Sequence, residues 1–359
     1  MVCIAAFVIL AVIVLCIPII RIFSKKTADS ILSLFKKSTY CVSRRATFRK
    51  CDSTFKDDVK NSILRKVVLK RPKWVKPLSV IIEITAAAIV VISIWSLLVA
   101  AKSGLTLFVY GTCDMATPSS CSLSGEACSI DSQPVDFWKN PIKWTGNWFV
   151  EFGEAIADIP TRLQNWNAND YIPENARPYS EFAWRSNALD IMDPGCVVCK
   201  KSFQNQLKAG FFDKYNVALM LYPIPDPDGG YKFAKSYLIT SYIEAARLKP
   251  LENSERPIEW LIIERLFTEN DENDIKKRDY QTMFNVSYSE DKAREVLESW
   301  LAEFGYSRSE VDEIAEIAKS DTVKKIIEKN IDVMDNEIKG KRIPTMVYDG
   351  KRHDGLWEE

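Results

Sequence analysis

Residues 193–203 read DPGCVVCKKSF, with Cys196 and Cys199 separated by Val197 and Val198. Before them, residues 185–192 (RSNALDIM) predict a strand. After them, Phe203, Leu207 and Phe211 recur at i, i+4 and i+8, which predicts a helix over 199–212. A cysteine pair between a strand and a helix is open to three chemistries: a redox centre, half of a metal site, or a permanent structural clip.

Composition narrows these. His353 is the sole histidine, so Cys-His or Ser-His-Asp chemistry would need that one distant residue to fold back, and a histidine-rich metal site is excluded. There is no second CxxC, so a four-thiolate zinc site would have to borrow cysteines from elsewhere. Lys200 follows Cys199, which removes the haem-attachment pattern. No metal ligand set is expected. What remains is thiol–disulfide exchange. A cysteine at a helix N-terminus faces unpaired backbone N–H groups, which stabilise its thiolate. A second cysteine one turn on can attack a mixed disulfide on the first. On this reading Cys196 exchanges with substrate and Cys199 resolves, with their own disulfide as the only cofactor.

Outward from the pair, residues 217–222 (VALMLY) predict a second strand, followed by the turn PIPDPDGG. Residues 231–340 carry helical periodicity nearly throughout, with Ser289 and Ser307 as N-caps and Glu310 placed to complete a capping box. Residues 340–355 (GKRIPTMVYDGKRHDG) predict a strand, an Asp-Gly turn and a return strand.

The segment LDIMDPGCVVCKKSF resembles the active-site strand and helix of the thioredoxin superfamily. Asp190, six residues before Cys196, matches the acid that in those proteins helps deprotonate the resolving cysteine. GKRIPTMVYDGKRHDG is similar to their cis-proline strand and hairpin. The resemblance implies that Pro344 is cis and faces the sulfurs, and that the backbone of Ile343 pairs with substrate. Val197 and Val198 would line the approach. A long helical block before the cis-proline strand resembles DsbA-type oxidoreductases. The implied fold is α/β, thioredoxin-like, over residues 180–359, with a helical insert over 231–340. Two features depart from that family. Strongly oxidising members carry Pro-His between the cysteines, whereas these valines offer no charge or hydrogen-bonding side chain. The chain also has only LWEE after Gly355, where the family continues into a closing helix: either the chain is truncated or the sheet is covered another way, with a helix expected over 147–166 as the candidate substitute. Asp193 is expected on the exposed rim, opposing ionisation of Cys196, and Trp184 on an apolar surface near Pro344.

The N-terminal third has a different composition. Residues 2–20 are uncharged, and residues 78–101 hold one charge, Glu83. At about 1.5 Å per residue the second segment spans roughly 35 Å, enough for a bilayer core. The first lacks preceding basic residues and a small-x-small site, which favours a span over a signal peptide. Glu83 lies near one end of its span, where snorkelling accounts for it. Between the spans, residues 21–77 hold 17 Lys/Arg against 4 Asp/Glu, a net of +13; residues 102–359 hold 31 against 43, a net of −12. Basic loops stay cytoplasmic. The expected order is therefore span 1–20, cytoplasmic loop 21–77, span 78–101, an extracytoplasmic connector 102–179 and the thioredoxin-like domain. The basic loop has few aromatics and no nucleic-acid motif, so its expected partner is the lipid bilayer.

Cys113, Cys121 and Cys128 lie in the connector. An oxidising exterior permits one disulfide among them and leaves the third over. The chain thus reads as a two-pass, membrane-anchored oxidoreductase acting on cysteine-containing exported proteins, served by a membrane or extracytoplasmic redox partner. The alternative is a redox-silent thioredoxin-like module that scaffolds a membrane complex.

Overall fold

The structure is a computed structural model that describes residues 75–112, 128–129, 138–251 and 254–358. The expected first span, nearly all of the basic loop, Cys113 and Cys121 lie outside the described residues. The chain divides into two compact units, residues 1–101 and 102–359. Helix α1, Val75–Tyr110, begins in the first and ends in the second. Among the described residues no helix is long and apolar enough to cross a membrane. Side chains at several positions between 75 and 93 fall outside that set. Ile81, Ile84, Val91 and Leu97 of α1 are exposed, whereas Val109 and Tyr110 at its end are buried.

The second unit holds the sheet. After the short strand β1, Cys128–Ser129, comes helix α2, Pro141–Ala157, opened by Asn140, whose side chain accepts from the Lys143 N–H. The expected connector, residues 102–179, thus contains the end of α1 and all of α2. Strand β2, Ser186–Met192, leads into helix α3, Val197–Lys208, and then strand β3, Tyr215–Leu221. Helices α4 (Ser236–Leu248), α5 (Ile258–Thr268), α6 (Glu290–Phe304), α7 (Arg308–Ile317) and α8 (Asp321–Asp332) form the insert. Ser289 and Ser307 cap α6 and α7, the latter with the full Glu310 capping box. Strands β4 (Arg342–Ile343), β5 (Thr345–Tyr348) and β6 (Lys351–Asp354) close the chain.

The main sheet runs β3-β2-β5-β6. β2 and β3 are parallel, joined through α3, while β5 is antiparallel to β2 and β6 to β5. Parallel strands are covered on both faces. Accordingly β2 is buried from Ala188 to Met192 and β3 from Asn216 to Leu221. The β5–β6 turn needs positive φ at both central residues, supplied by Asp349 (49°) and Gly350 (72°). This order, with a dithiol after the first strand and a cis-proline before the third, is the thioredoxin-like fold with a helical insertion.

An aromatic cluster anchors α3. Phe203 lies 5.6 Å from Phe212, 5.8 Å from Phe267 and 6.3 Å from Trp260 between ring centroids. It joins the dithiol helix to α5 of the insert, and truncating such a ring costs about 3–5 kcal/mol. Among the described residues no helix follows β6, and earlier segments contact its neighbourhood. The Trp166 N–H donates to Gly350 O (3.0 Å), Arg162 to Arg352 O (2.7 Å), and Arg352 to Val109 O in α1 (2.9 Å). Trp357 packs 5.2 Å from Phe211 on the same side of the chain end. Segments preceding the domain thus supply contacts along the last strand.

Candidate active site

Cys196 is the N-cap residue of α3. Its φ and ψ of −78° and 120° are extended, and its carbonyl accepts from the Lys200 N–H at 3.2 Å. The preceding Asp193-Pro-Gly turn sets this geometry, with Cys196 N–H donating to Asp193 O at 3.0 Å. Cys199 follows one turn into the helix. Both cysteines are fully buried. They are not joined to each other: Cys199 is a free thiol, and Cys196 is disulfide-bonded to a different cysteine. Val197 is half exposed and Val198 partly buried.

Asp190 lies beneath the pair on β2, fully buried. Its Oδ2 accepts from Gln206 at 2.8 Å, and its Oδ1 has no hydrogen-bond partner. Burial raises its pKa to about 7, and the Gln206 hydrogen bond only partly offsets this. Burial also pushes the Cys199 thiol well above its ordinary value; the Asp193 backbone counters this, and the charges of Asp193 and Asp190 add to it. A neutral thiol is a poor nucleophile. A nearby carboxylate titrating close to neutrality is matched to accept its proton.

The Ile343–Pro344 peptide is cis, and both residues are buried. Register places them: Ile191 pairs with Thr345, so Pro344 stands one residue beyond the last paired position, at the end of β2 that opens into the dithiol turn. Arg342–Ile343 pairs antiparallel with Cys128–Ser129, Cys128 opposite Ile343.

Two expectations change. Asp193 is not on a rim. It is buried, and its carboxylate accepts from Gly195 N–H and Ile224 N–H, both at 2.7 Å, and from the Ser236 hydroxyl. Burial moves its pKa up to about 6 despite these bonds and Lys232. It ties the dithiol turn to the loop after β3. Trp184 precedes β2, whereas the cysteines follow it; seven residues of strand put them about 20 Å apart. Trp184 lies 5.6 Å from Phe182, with Arg185 over its ring. His353 stacks on Tyr348 in the terminal hairpin, two strands from Asp190.

The insert contributes residues that sequence reasoning missed. Gln281 donates to the carbonyls of Pro194 (2.9 Å) and Cys196 (3.0 Å), and Asn285 to that of Gly195 (2.8 Å). Lys200 pairs with Asp279 at 2.7 Å. These contacts span about 80 to 90 residues, and no local signal announces them. Gln206 was findable. It lies seven residues after Cys199 on the inward face of α3, where a buried amide needs a polar partner.

No protein-family model and no curated protein matches this chain. Several solved structures resemble part of it. The thiol-disulfide exchange protein alpha-DsbA2 of Wolbachia pipientis is 14% identical over 51% of this chain and 81% of its own, with a TM-score of 0.33. The catalytic domain of Proteus mirabilis ScsC is 13% identical over 53% and 87%, with a TM-score of 0.34. The cytosolic disulfide reductase DsbM of Pseudomonas aeruginosa, solved with GSH, is 15% identical over 48% and 89%, with a TM-score of 0.33. The strand order and the dithiol geometry, rather than these values, define the class of fold.

Proposed function

We propose that this chain is a membrane-anchored thiol–disulfide oxidoreductase whose dithiol domain lies outside the cytoplasm. One observation carries the catalytic reading: Cys196 stands at the N-cap position of a helix, Pro344 is cis at the end of β2 that leads into that helix, and Cys199 stays a free, buried thiol near Asp190. In the reducing direction, the Cys196 thiolate attacks a substrate disulfide, forming a mixed disulfide and releasing the substrate's other sulfur as a thiolate; the oxidising direction is the reverse, and the geometry serves both. Asp190 takes the Cys199 proton. The Cys199 thiolate then attacks Cys196 Sγ, releasing the substrate thiolate and closing Cys196–Cys199. Ile343 offers backbone groups to an extended substrate strand, and exposed Val197 borders its approach. The substrates are cysteine-containing exported proteins, and a second redox partner resets the pair.

Anchoring rests on sequence. Residues 78–101 hold one charge in an apolar helix, and the +13 segment before them favours a cytoplasmic loop. Cys41 and Cys51 lie in that loop. They should resist a membrane-impermeant maleimide in intact cells and react after lysis; labelling in intact cells reverses the orientation.

The catalytic reading is tested by equilibrating the full chain with glutathione buffers and alkylating. Cys196 and Cys199 should convert together between dithiol and disulfide with one midpoint. A pair that never exchanges would leave the redox-silent scaffold.

A further inference from the structure

The site already contains a strand. β1, Cys128–Ser129, pairs antiparallel with Arg342–Ile343, the two residues that lead into cis-Pro344. Those two residues pair with no other described strand. β1 is therefore placed where the proposed function puts a substrate peptide, and its register sets a cysteine, Cys128, opposite Ile343. A second observation is independent of that pairing. Cys196 is disulfide-bonded, yet its neighbour Cys199 is a free thiol, so the bond runs to a cysteine elsewhere in the chain. Cys196 is also fully buried, as an exchange cysteine is when its partner strand is in place.

We propose that Cys128 is a third redox cysteine: β1 is an internal substrate strand, and Cys128 forms the mixed disulfide with Cys196 that Cys199 resolves. This rests on the oxidoreductase reading and deepens it. The step balances within the chain. Asp190 accepts the proton of Cys199, the Cys199 thiolate attacks Cys196 Sγ, and the Cys196–Cys128 bond breaks as Cys196–Cys199 forms. Cys128 leaves as a thiolate and takes up a proton. Cys199 passes from the thiol to the disulfide level as Cys128 passes from the disulfide to the thiol level, with no net redox change and no external reagent.

The arrangement has two consequences. An incoming substrate must be an extended peptide with a cysteine that can replace Cys128 opposite Ile343, pairing through its backbone. It must also displace a tethered competitor. Cys128 is sixteen residues beyond Thr112, the last described residue before it. A competitor in the same chain acts at an effective concentration on the order of millimolar, so a free peptide at tens of micromolar is outcompeted roughly 10- to 100-fold. The internal strand therefore guards the site and selects substrates that pair well.

The test uses the full chain, acid-quenched, alkylated and digested without reduction. Cleavage after Glu126 separates Cys128 from Cys113 and Cys121. Mass spectrometry should find the peptide beginning at Ala127 linked to the Cys196 peptide. That species should accumulate in Cys199→Ala, which lacks the resolving thiol, and vanish in the Cys128→Ser/Cys199→Ala double variant. In Cys128→Ser alone, the rate at which a synthetic cysteine peptide reacts at Cys196 should rise about tenfold or more. Linkage of Cys196 to a peptide ending at Glu126, or an unchanged peptide rate in Cys128→Ser, overturns the proposal while leaving a glutathione-active Cys196–Cys199 pair in place. A pair inert to glutathione instead removes the oxidoreductase reading, and this proposal with it.

Discussion

The floor of the dithiol site and the core of the helical insert both bury carboxylates, and they treat them in opposite ways. In the insert, Arg247 on α4 donates to Glu244 at 2.8 Å, to Glu259 at 3.2 Å and to Leu219 O at 2.8 Å. The Arg177 N–H adds a further bond to Glu259 at 2.9 Å. Burial alone would lower the guanidinium pKa; Glu244 and Glu259 more than offset it, so the charge is locked in. Under the dithiol, Asp190 is equally buried but has one amide donor and no cation. The difference is the counter-ion. Glu244 and Glu259 share a buried guanidinium between them. Asp190 has no such partner and titrates near neutrality, which suits proton exchange with a thiol.

The strongest way to break this comparison is Arg247→Met, which leaves Glu244 and Glu259 buried with no cation. Losing one partner of a buried ion cluster costs about 3–5 kcal/mol. The urea midpoint at pH 7 should drop accordingly, and an unchanged midpoint would show that the cluster contributes no net stability.

Asp190→Asn should act in the opposite direction. The folded Asp190 pKa, about 7, lies above the unfolded value near ~3.9, so the folded state binds the proton more tightly. Its stabilisation is complete below about pH 4 and is lost as pH rises through about 7. At pH 8 the variant should be more stable by on the order of 2–4 kcal/mol, with a flatter pH dependence between 4 and 7. Resolution by Cys199 should slow about 10²-fold and lose its inflection near pH 7. Urea titrations and stopped-flow exchange over that range check both. A destabilised variant with normal exchange would mean that Asp190 is merely structural.

Gly195→Ala asks how firmly the turn above Asp190 is held. An added Cβ would meet Phe233 Cβ at 2.4 Å and Ser236 Oγ at 2.5 Å. The expected loss is about 1–3 kcal/mol in thermal unfolding. A neutral result would show that the lead into α4 yields easily. The smallest effect belongs to a group away from both clusters. Ser289→Ala removes the cap bond to the Lys292 N–H (3.1 Å) and should cost about 1 kcal/mol, seen as faster amide exchange in the first turn of α6.

Much of the domain was legible because its signals are local. The strand before Cys196 and the helix after it follow from periodicity, and the terminal hairpin from an Asp-Gly pair whose left-handed φ values the structure shows. The N-caps at Ser289 and Ser307 were readable for the same reason, since a cap is satisfied within four residues. Asp193 was misplaced because its role depends on Ile224 and Ser236, 31 and 43 residues away. Gln281 and Asn285 escaped notice because surface amides and site amides look alike until the insert folds back over the turn.

By itself the sequence determined the chemistry on offer: two cysteines one helical turn apart, a single histidine, an acid two positions inside the end of the preceding strand, and a proline before the last hairpin. Those follow from residue type and short spacing, which local sterics and hydrogen bonding translate directly into structure. Only the tertiary structure decided which groups lose their water. It buried Asp190 without a cation, brought Arg342–Ile343 beside Cys128–Ser129, and left Cys199 as the free thiol. Desolvation and strand pairing depend on what arrives from distant parts of the chain, and no short stretch of sequence carries that information.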